Sequence, residues 1–158
     1  MRLMDPVFPI PNCRVEQIKQ MGSAGLRVVA QGVKPEAACP ICFTISQAGH
    51  SRYHRHPADL PSLGQPVQLV LCVRRFYCRN GTCARRTFVE PLPDLLAPRA
   101  RRTRRLALTQ GKTGVACGGE AGARLLSELS MPTSGDTVLR LIRALPLPAR
   151  EPPGGAGR

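Results

Sequence analysis

The stretch PVQLVLCVRRFYCRNGTC, residues 66–83, decides the architecture. Val67, Leu69, Leu71 and Val73 alternate with Gln68, Val70, Cys72 and Arg74. That period of two is the pattern of a strand with one buried face. Phe76 and Tyr77 prolong it with β-favouring aromatic side chains. The strand then runs into Cys78-x4-Cys83, whose Asn80-Gly81 pair favours a tight reversal.

A matching half-site lies upstream at Cys39-Pro40-Ile41-Cys42. Two close cysteine pairs on tight turns are the donor set that a tetrahedral zinc site needs, so Cys39, Cys42, Cys78 and Cys83 are the candidate ligands for Zn2+. Disulfides, a redox dithiol and buried structural thiols compete with this reading. An odd total of seven cysteines and the lack of a signal segment disfavour disulfides. A redox Cys-x-x-Cys belongs in a βαβ context, which the sequence does not offer. Cys13, Cys72 and Cys117 read as apolar fillers or free thiols. His50, His54 and His56 sit among polar residues and arginines and read as surface histidines, with His50 the one residue that would replace a cysteine in a mixed site.

Moving outward, residues 13–20 and 25–31 read as two strands joined at Gly22-Ser23-Ala24-Gly25, and residues 50–56 as a short exposed strand ended by Pro57. After Pro91, Pro93 and Pro98 the alternation stops and helix formers take over. Helices are expected over 99–110, 119–129 and from about 134 to 145. Gly111 and Gly114 weaken the continuation of the first, and Ser134 is the N-cap of the third. The reading is an α+β chain: a zinc-stapled, zinc-ribbon-like β module at 13–90, a three-helix helix-turn-helix module at 99–145, and a disordered tail at 149–158.

Composition narrows the function. The 158 residues hold 23 Lys and Arg against 10 Asp and Glu, a net charge of +13. Lysine occurs at positions 19, 34 and 112 alone, so arginine, the better phosphate fork, dominates. The surplus gathers at 74–86 and 99–105 and favours a polyanion, nucleic acid first. Aromatic residues at 4% and the absence of Trp speak against a large enzyme core. No run of 18 apolar residues and no apolar leader is present, so a cytoplasmic chain with no membrane partner is expected. Gly111-Lys112-Thr113 lacks the upstream glycine of a phosphate loop, because Leu106 stands there. No Ser/His/Asp set or carboxylate pair stands out.

In order along the chain, CPIC at 39–42, HSRYHRHPADLP at 50–61, VRRFYCRNGTCARRTFVEPLP at 73–93, ARRTRRL at 100–106 and GGEAGARLLSELSMPTSGDTVLRLIRALPLP at 118–148 carry a resemblance. The chain resembles the N-terminal region of bacterial insertion-sequence transposases of the ISL-three type. In that family a zinc finger precedes a helix-turn-helix and a DDE catalytic domain follows. The resemblance implies metal ligation by the four cysteines and DNA binding by the helices. It also implies a fragment lacking the catalytic domain, hence no strand transfer and no enzyme activity.

Double-stranded DNA is therefore the expected partner. Ser134, Gly135, Asp136, Thr137 and Arg140 are the candidates for base edges, with Arg143 near the backbone. Arg74, Arg75, Arg85, Arg86, Arg101, Arg102, Arg104 and Arg105 would contact phosphates. If six such arginines neutralise phosphates, log K falls against log salt with a slope of about −5. Rival readings are a zinc-ribbon module that binds a protein or inhibits full-length transposase by pairing with it, a self-associating chain, and an RNA-binding zinc module, for which Phe43, Tyr53, Phe76, Tyr77 and Phe88 are the available stacking platforms.

Overall fold

The computed structural model describes residues 8–146. The tail expected at 149–158 lies outside the described residues. Eight strands come first: β1 Cys13–Gln20, β2 Leu26–Gly32, β3 Ala37–Ala38, β4 Ile45–Ser46, β5 Gly49–Arg55, β6 Ala58–Ser62, β7 Gln65–Tyr77 and β8 Thr87–Val89. Three helices follow: α1 Arg104–Cys117, α2 Gly119–Glu128 and α3 Gly135–Arg143. The chain is thus mixed α+β, with a sheet-rich first part.

The long strand read from residues 66–77 is the axis of the sheet. β2 runs parallel to β7, with Leu26 beside Val67 and Gln31 beside Cys72. β5 and β6 follow one another antiparallel along β7, and β8 closes a hairpin with its far end. β1 pairs antiparallel with β2 at the edge. The parallel pair needs a long crossover, and here the crossover carries β3, β4, β5 and β6.

Alternation decides which face is buried. Val67, Leu69, Leu71 and Val73 of β7 join Val15, Val28 and Ala30 in one core. Phe8, Ile10, Leu92, Leu95 and Leu96 cover it. The proline-rich stretch after β8 therefore packs onto the sheet face.

Helix α1 departs from the sequence expectation at both ends. It starts at Arg104 and not at 99, because residues 101–103 are engaged as extended backbone. Ala58 N–H donates to the Arg101 carbonyl at 2.9 Å and Thr103 N–H to the Ala58 carbonyl at 2.9 Å. Thr103 then caps the helix, its hydroxyl oxygen accepting from Leu106 N–H. The helix continues through Gly111 and Gly114 to Cys117. Glycine lowers helix propensity, but a Cβ at Gly114 would stand 2.3 Å from Val138 Cγ1. Close approach of α3 thus replaces intrinsic preference. Leu106, Ala123, Leu126, Met131 and Val138 fill the helical core, and Leu60 of β6 packs against it.

Sheet and helices share a buried ionic joint. Asp59 is 3% exposed. Its carboxylate accepts from Thr103 Oγ1 at 2.7 Å, from Leu60 N–H at 2.9 Å and from both Nε and Nη2 of Arg105. Burial by itself would raise the Asp59 pKa, but the hydrogen bonds from Arg105 and Thr103 outweigh it and hold the carboxyl below its ordinary value.

Candidate metal centre

Two knuckles place the four cysteines. In the first, β3 and β4 form a minimal hairpin, with Ala37 opposite Ser46 and Ala38 opposite Ile45. Cys39 N–H donates to the Thr44 carbonyl and Phe43 N–H back to the Cys39 carbonyl, closing the turn. Phe43 takes a left-handed φ of 59° to complete it. The second knuckle sits between β7 and β8. Cys78 N–H donates to the Arg86 carbonyl, and Asn80 accepts from Thr82 N–H and hydroxyl through its side chain. The Asn-Gly pair thus makes the reversal that its residue types favour.

The sulfurs converge from the two knuckles. All four Sγ atoms lie within 4.8 Å of one another. Cys42 and Cys78 are 3.5 Å apart and Cys39 and Cys83 4.0 Å. A disulfide would bring a pair to about 2.05 Å. Tetrahedral thiolates at a Zn–S distance of about 2.3 Å would stand roughly 3.8 Å apart. The spacing fits a four-thiolate zinc site and excludes a disulfide in this arrangement. Amides two residues past three of the cysteines reach the sulfurs: Thr44 to Cys42, Asn80 to Cys78, and Arg85 to Cys83 at 3.4 Å. Such donors favour the charged sulfur.

The thiols titrate as a set. The Thr44 hydroxyl and backbone amide pull Cys42 down to about 6. The Asn80 amide pulls on Cys78 as well, but desolvation and its neighbours Cys42, Cys39 and Cys83 push it up to about 12. Like charges crowded together oppose a second and third ionisation. A bound Zn2+ would supply the countercharge that keeps all four sulfurs deprotonated.

Behind the sulfurs lies a small separate core. Phe76 and Phe88 face each other across β7 and β8, ring centroids 5.8 Å apart and stacked. They pack with buried Cys39, and Cys42, Cys78 and Cys83 adjoin them. His50 is not among the converging ligands. Its ring meets Tyr77 edge-on at 4.8 Å and Nδ1 lies 2.8 Å from the Ser51 hydroxyl. Cys13 borders the sheet core, and burial, then Glu90, pushes its thiol up to about 11. Cys72 is half-buried and Cys117 exposed.

The arginines singled out from the sequence meet different surroundings. Arg74 forks onto buried Glu90 at 3.0 Å, with its guanidinium 5.4 Å from the Phe76 ring centroid. Arg105 is held by Asp59. Arg104 donates to the Pro93 carbonyl. Arg75 lies over Tyr53 at 5.9 Å and is exposed, as are Arg85, Arg86 and Arg101. Arg102 is half-buried and donates to Gln110 Oε1 and Thr133 Oγ1. Desolvation, and then the nearby Arg140, lowers its pKa.

On α3, Ser134 caps Thr137 N–H as expected. The Ser134 hydroxyl donates to Thr137 Oγ1, and Arg140 Nη2 donates to the same oxygen at 3.0 Å. Thr137 Oγ1 therefore accepts twice and keeps its own proton for an outside acceptor. Arg140 and Arg143 are exposed. The sequence reading did not single out two buried polar residues that organise this region, Asp59 and Gln110. Gln110 is 1% exposed and donates to the Met131 carbonyl. Asp59 lies on β6, a strand too short for its period to show in the sequence, whereas Gln110 was legible as a polar residue one helical turn past Leu106.

Comparison with known proteins yields one family. Residues 35–89 match the family model described as the zinc-finger of transposase IS204/IS1001/IS1096/IS1165. The matched segment, less than half the chain, contains both knuckles and all four converging cysteines. The segment is thus similar to the zinc ribbons of this transposase type. No curated protein and no solved structure matches the chain. No helix among the described residues is long and apolar enough to cross a membrane.

Proposed function

We propose that the chain is a DNA-binding part of an insertion-sequence transposase that recognises transposon-end duplex DNA. In this reading Cys39, Cys42, Cys78 and Cys83 hold Zn2+, and α2, the turn and α3 form a helix-turn-helix. The zinc-ribbon match at residues 35–89 carries the reading, because it puts the metal centre in a transposase context. The α3 surface supports it. Thr137 and Arg140 stand in the first two turns of the second helix, where such motifs meet base edges. Their mutual hydrogen bonds pre-arrange Arg140. Exposed Arg75, Arg85, Arg86, Arg101 and Arg143 are suited to phosphates, and Arg102 links the basic run to the turn before α3. Arg74 and Arg105, whose donors are engaged within the fold, would contribute chiefly by their field, whereas exposed Arg104, bonded through Nε, keeps its terminal nitrogens for a phosphate. The β module at 13–90 and the helical module at 99–145 would then act as one recognition unit, and strand transfer would lie outside these residues.

The test is selection of a randomised duplex library on the zinc-loaded chain. One enriched sequence is expected. Arg140→Ala should weaken that site by about tenfold or more while leaving random duplex within about twofold. No enrichment, or equal losses on both duplexes, would overturn the reading.

A second reading is pairing with a full-length transposase or with another copy. It draws on the tip of the first knuckle, where Ile41, Phe43 and Ile45 are 56%, 76% and 61% exposed. Concentration-dependent mass in solution, lost on Phe43→Ser, would favour it.

A further inference from the structure

The sheet has a second face, opposite the core, and register places its residues. Because Val28, Ala30, Val67 and Leu69 point into the core, Arg27 and Gln68 point the other way. Pairing sets Lys19 opposite Arg27, Arg27 beside Gln68, and Gln68 opposite Ala58. Further along the same face, Arg52 stands opposite Arg74. Like charges directly opposite on a sheet are destabilising, and here two such pairs share one face.

The carboxylates within reach are already taken. Glu16 bonds Arg14 and Gln31, and Glu90 bonds Arg74. Lys19, Arg27 and Arg52 have no ion-pair partner among the described residues. Arg27 Nε is moreover buried with no hydrogen-bond partner. A buried donor left unsatisfied is costly, and at the surface an external anion would relieve the crowding of like charges on this face.

The row is continuous with the helices. Ala58, at its end, forms a bridge with Arg102, and Arg102 donates to Thr133 in the turn before α3. Four inter-strand steps of about 4.8 Å carry the row roughly 19 Å from Lys19 to Arg102. That equals about five to six base pairs at 3.4 Å each.

We propose that this outer sheet face is a second phosphate-binding surface, with Lys19, Arg27 and Arg52 holding the duplex where it runs on past the helix-turn-helix site. The proposal rests on the DNA-binding reading and extends its footprint to residues outside the arginine runs.

The experiment compares the zinc-loaded full chain with a Lys19→Gln, Arg27→Gln, Arg52→Gln variant on a long duplex over a salt series. A Lys34→Gln, Lys112→Gln, Arg124→Gln variant removes the same charge elsewhere. Zinc content and thermal midpoint check the fold of each. With about 0.9 of slope per phosphate, the face variant should flatten the log K against log salt slope by about 2 to 3. The control should move it by less than about 1. A duplex shortened by about six base pairs on the sheet side should erase the difference between parent and face variant.

Equal slopes for parent and face variant, with binding still dependent on Arg140, would overturn the second surface and leave the helix site standing. Equal effects from the face and control variants would reduce it to net charge. Tighter binding of single-stranded RNA through the same three residues would overturn the duplex assignment. No duplex binding by the parent would overturn the DNA reading itself.

Discussion

Replacing Gly114 by alanine sets two effects of known size against each other. On a free helix alanine is favoured over glycine by about 1 kcal/mol. In this fold the new Cβ would lie 2.3 Å from Val138 Cγ1 and 2.9 Å from Ile142 Cδ1. Carbon atoms pack best about 3.5–4.0 Å apart. Val138 is fully buried at 0% exposure, and its β-branched side chain has essentially one rotamer in a helix. Relief therefore requires α3 to move. Overpacking of this kind costs about 1–3 kcal/mol, and so deep an overlap points to the upper half of that range. The net effect is a destabilisation of about 1–2 kcal/mol, lowering the thermal midpoint by roughly 2–8 °C. Circular dichroism at the helical band reads it directly. Gly114→Ala combined with Val138→Ala should recover part of the loss, a coupling of at least about 0.5 kcal/mol. A midpoint equal to or above the parent's for Gly114→Ala alone would show that propensity wins, and the close α1–α3 approach would be refuted.

Other outcomes follow from the joint and the metal centre. Asp59 has its pKa held below the ordinary value, so its stabilisation is present above the unfolded pKa of about 3.9. It is lost as pH falls through the lower folded value. Asp59→Asn should lower stability near pH 7 by about 2 kcal/mol, since it removes the charge and sets an NH2 group against Arg105 Nη2 in place of an acceptor, while Oδ1 can still accept from Thr103. It should also flatten the acid limb of a denaturation profile below about pH 4, and an unchanged acid limb would count against the joint. Cys78→Ser should take zinc from one per chain to near none by elemental analysis and loosen the Phe76–Phe88 core. Full zinc retention would remove Cys78 from the ligand set. A strong chelator should reproduce that loosening on the parent chain, and a parent whose melt ignores chelator would speak against a structural metal.

Much of the sheet was legible because strand β7 is long and half-buried. Val67, Leu69, Leu71 and Val73 alternate without interruption, which marks one face as the buried one even though Val70 and Cys72 lie on the other. The cysteine pairs were legible for a similar reason, since ligands on tight turns sit close in sequence. Strands β3, β4, β6 and β8 were not read as strands. They are two to five residues long, too short for a period to show, and exist because β7 or a knuckle offers them backbone partners. The Ser134 cap and the turn at 130–133 could be read locally, because capping is a contact within one turn.

Helix α1 marks the boundary between the two kinds of information. The sequence determined that a helix would follow the prolines near residue 98, through composition alone. Where it begins was decided by Ala58, which claims the backbone of residues 101–103 from a strand far off in the chain. Where it ends was decided by Val138 and Ile142, whose packing against Gly114 outweighs glycine's poor propensity. The four-cysteine donor set, the net positive charge and the alternating strand belong to the sequence itself, because each rests on residue type and short spacing. Only the tertiary structure could set Lys19 opposite Arg27, bury Asp59 beneath Arg105 and string Arg140 to Thr137 on an exposed helix. Those are relations between distant segments, or between side chains whose rotamers the surrounding fold selects.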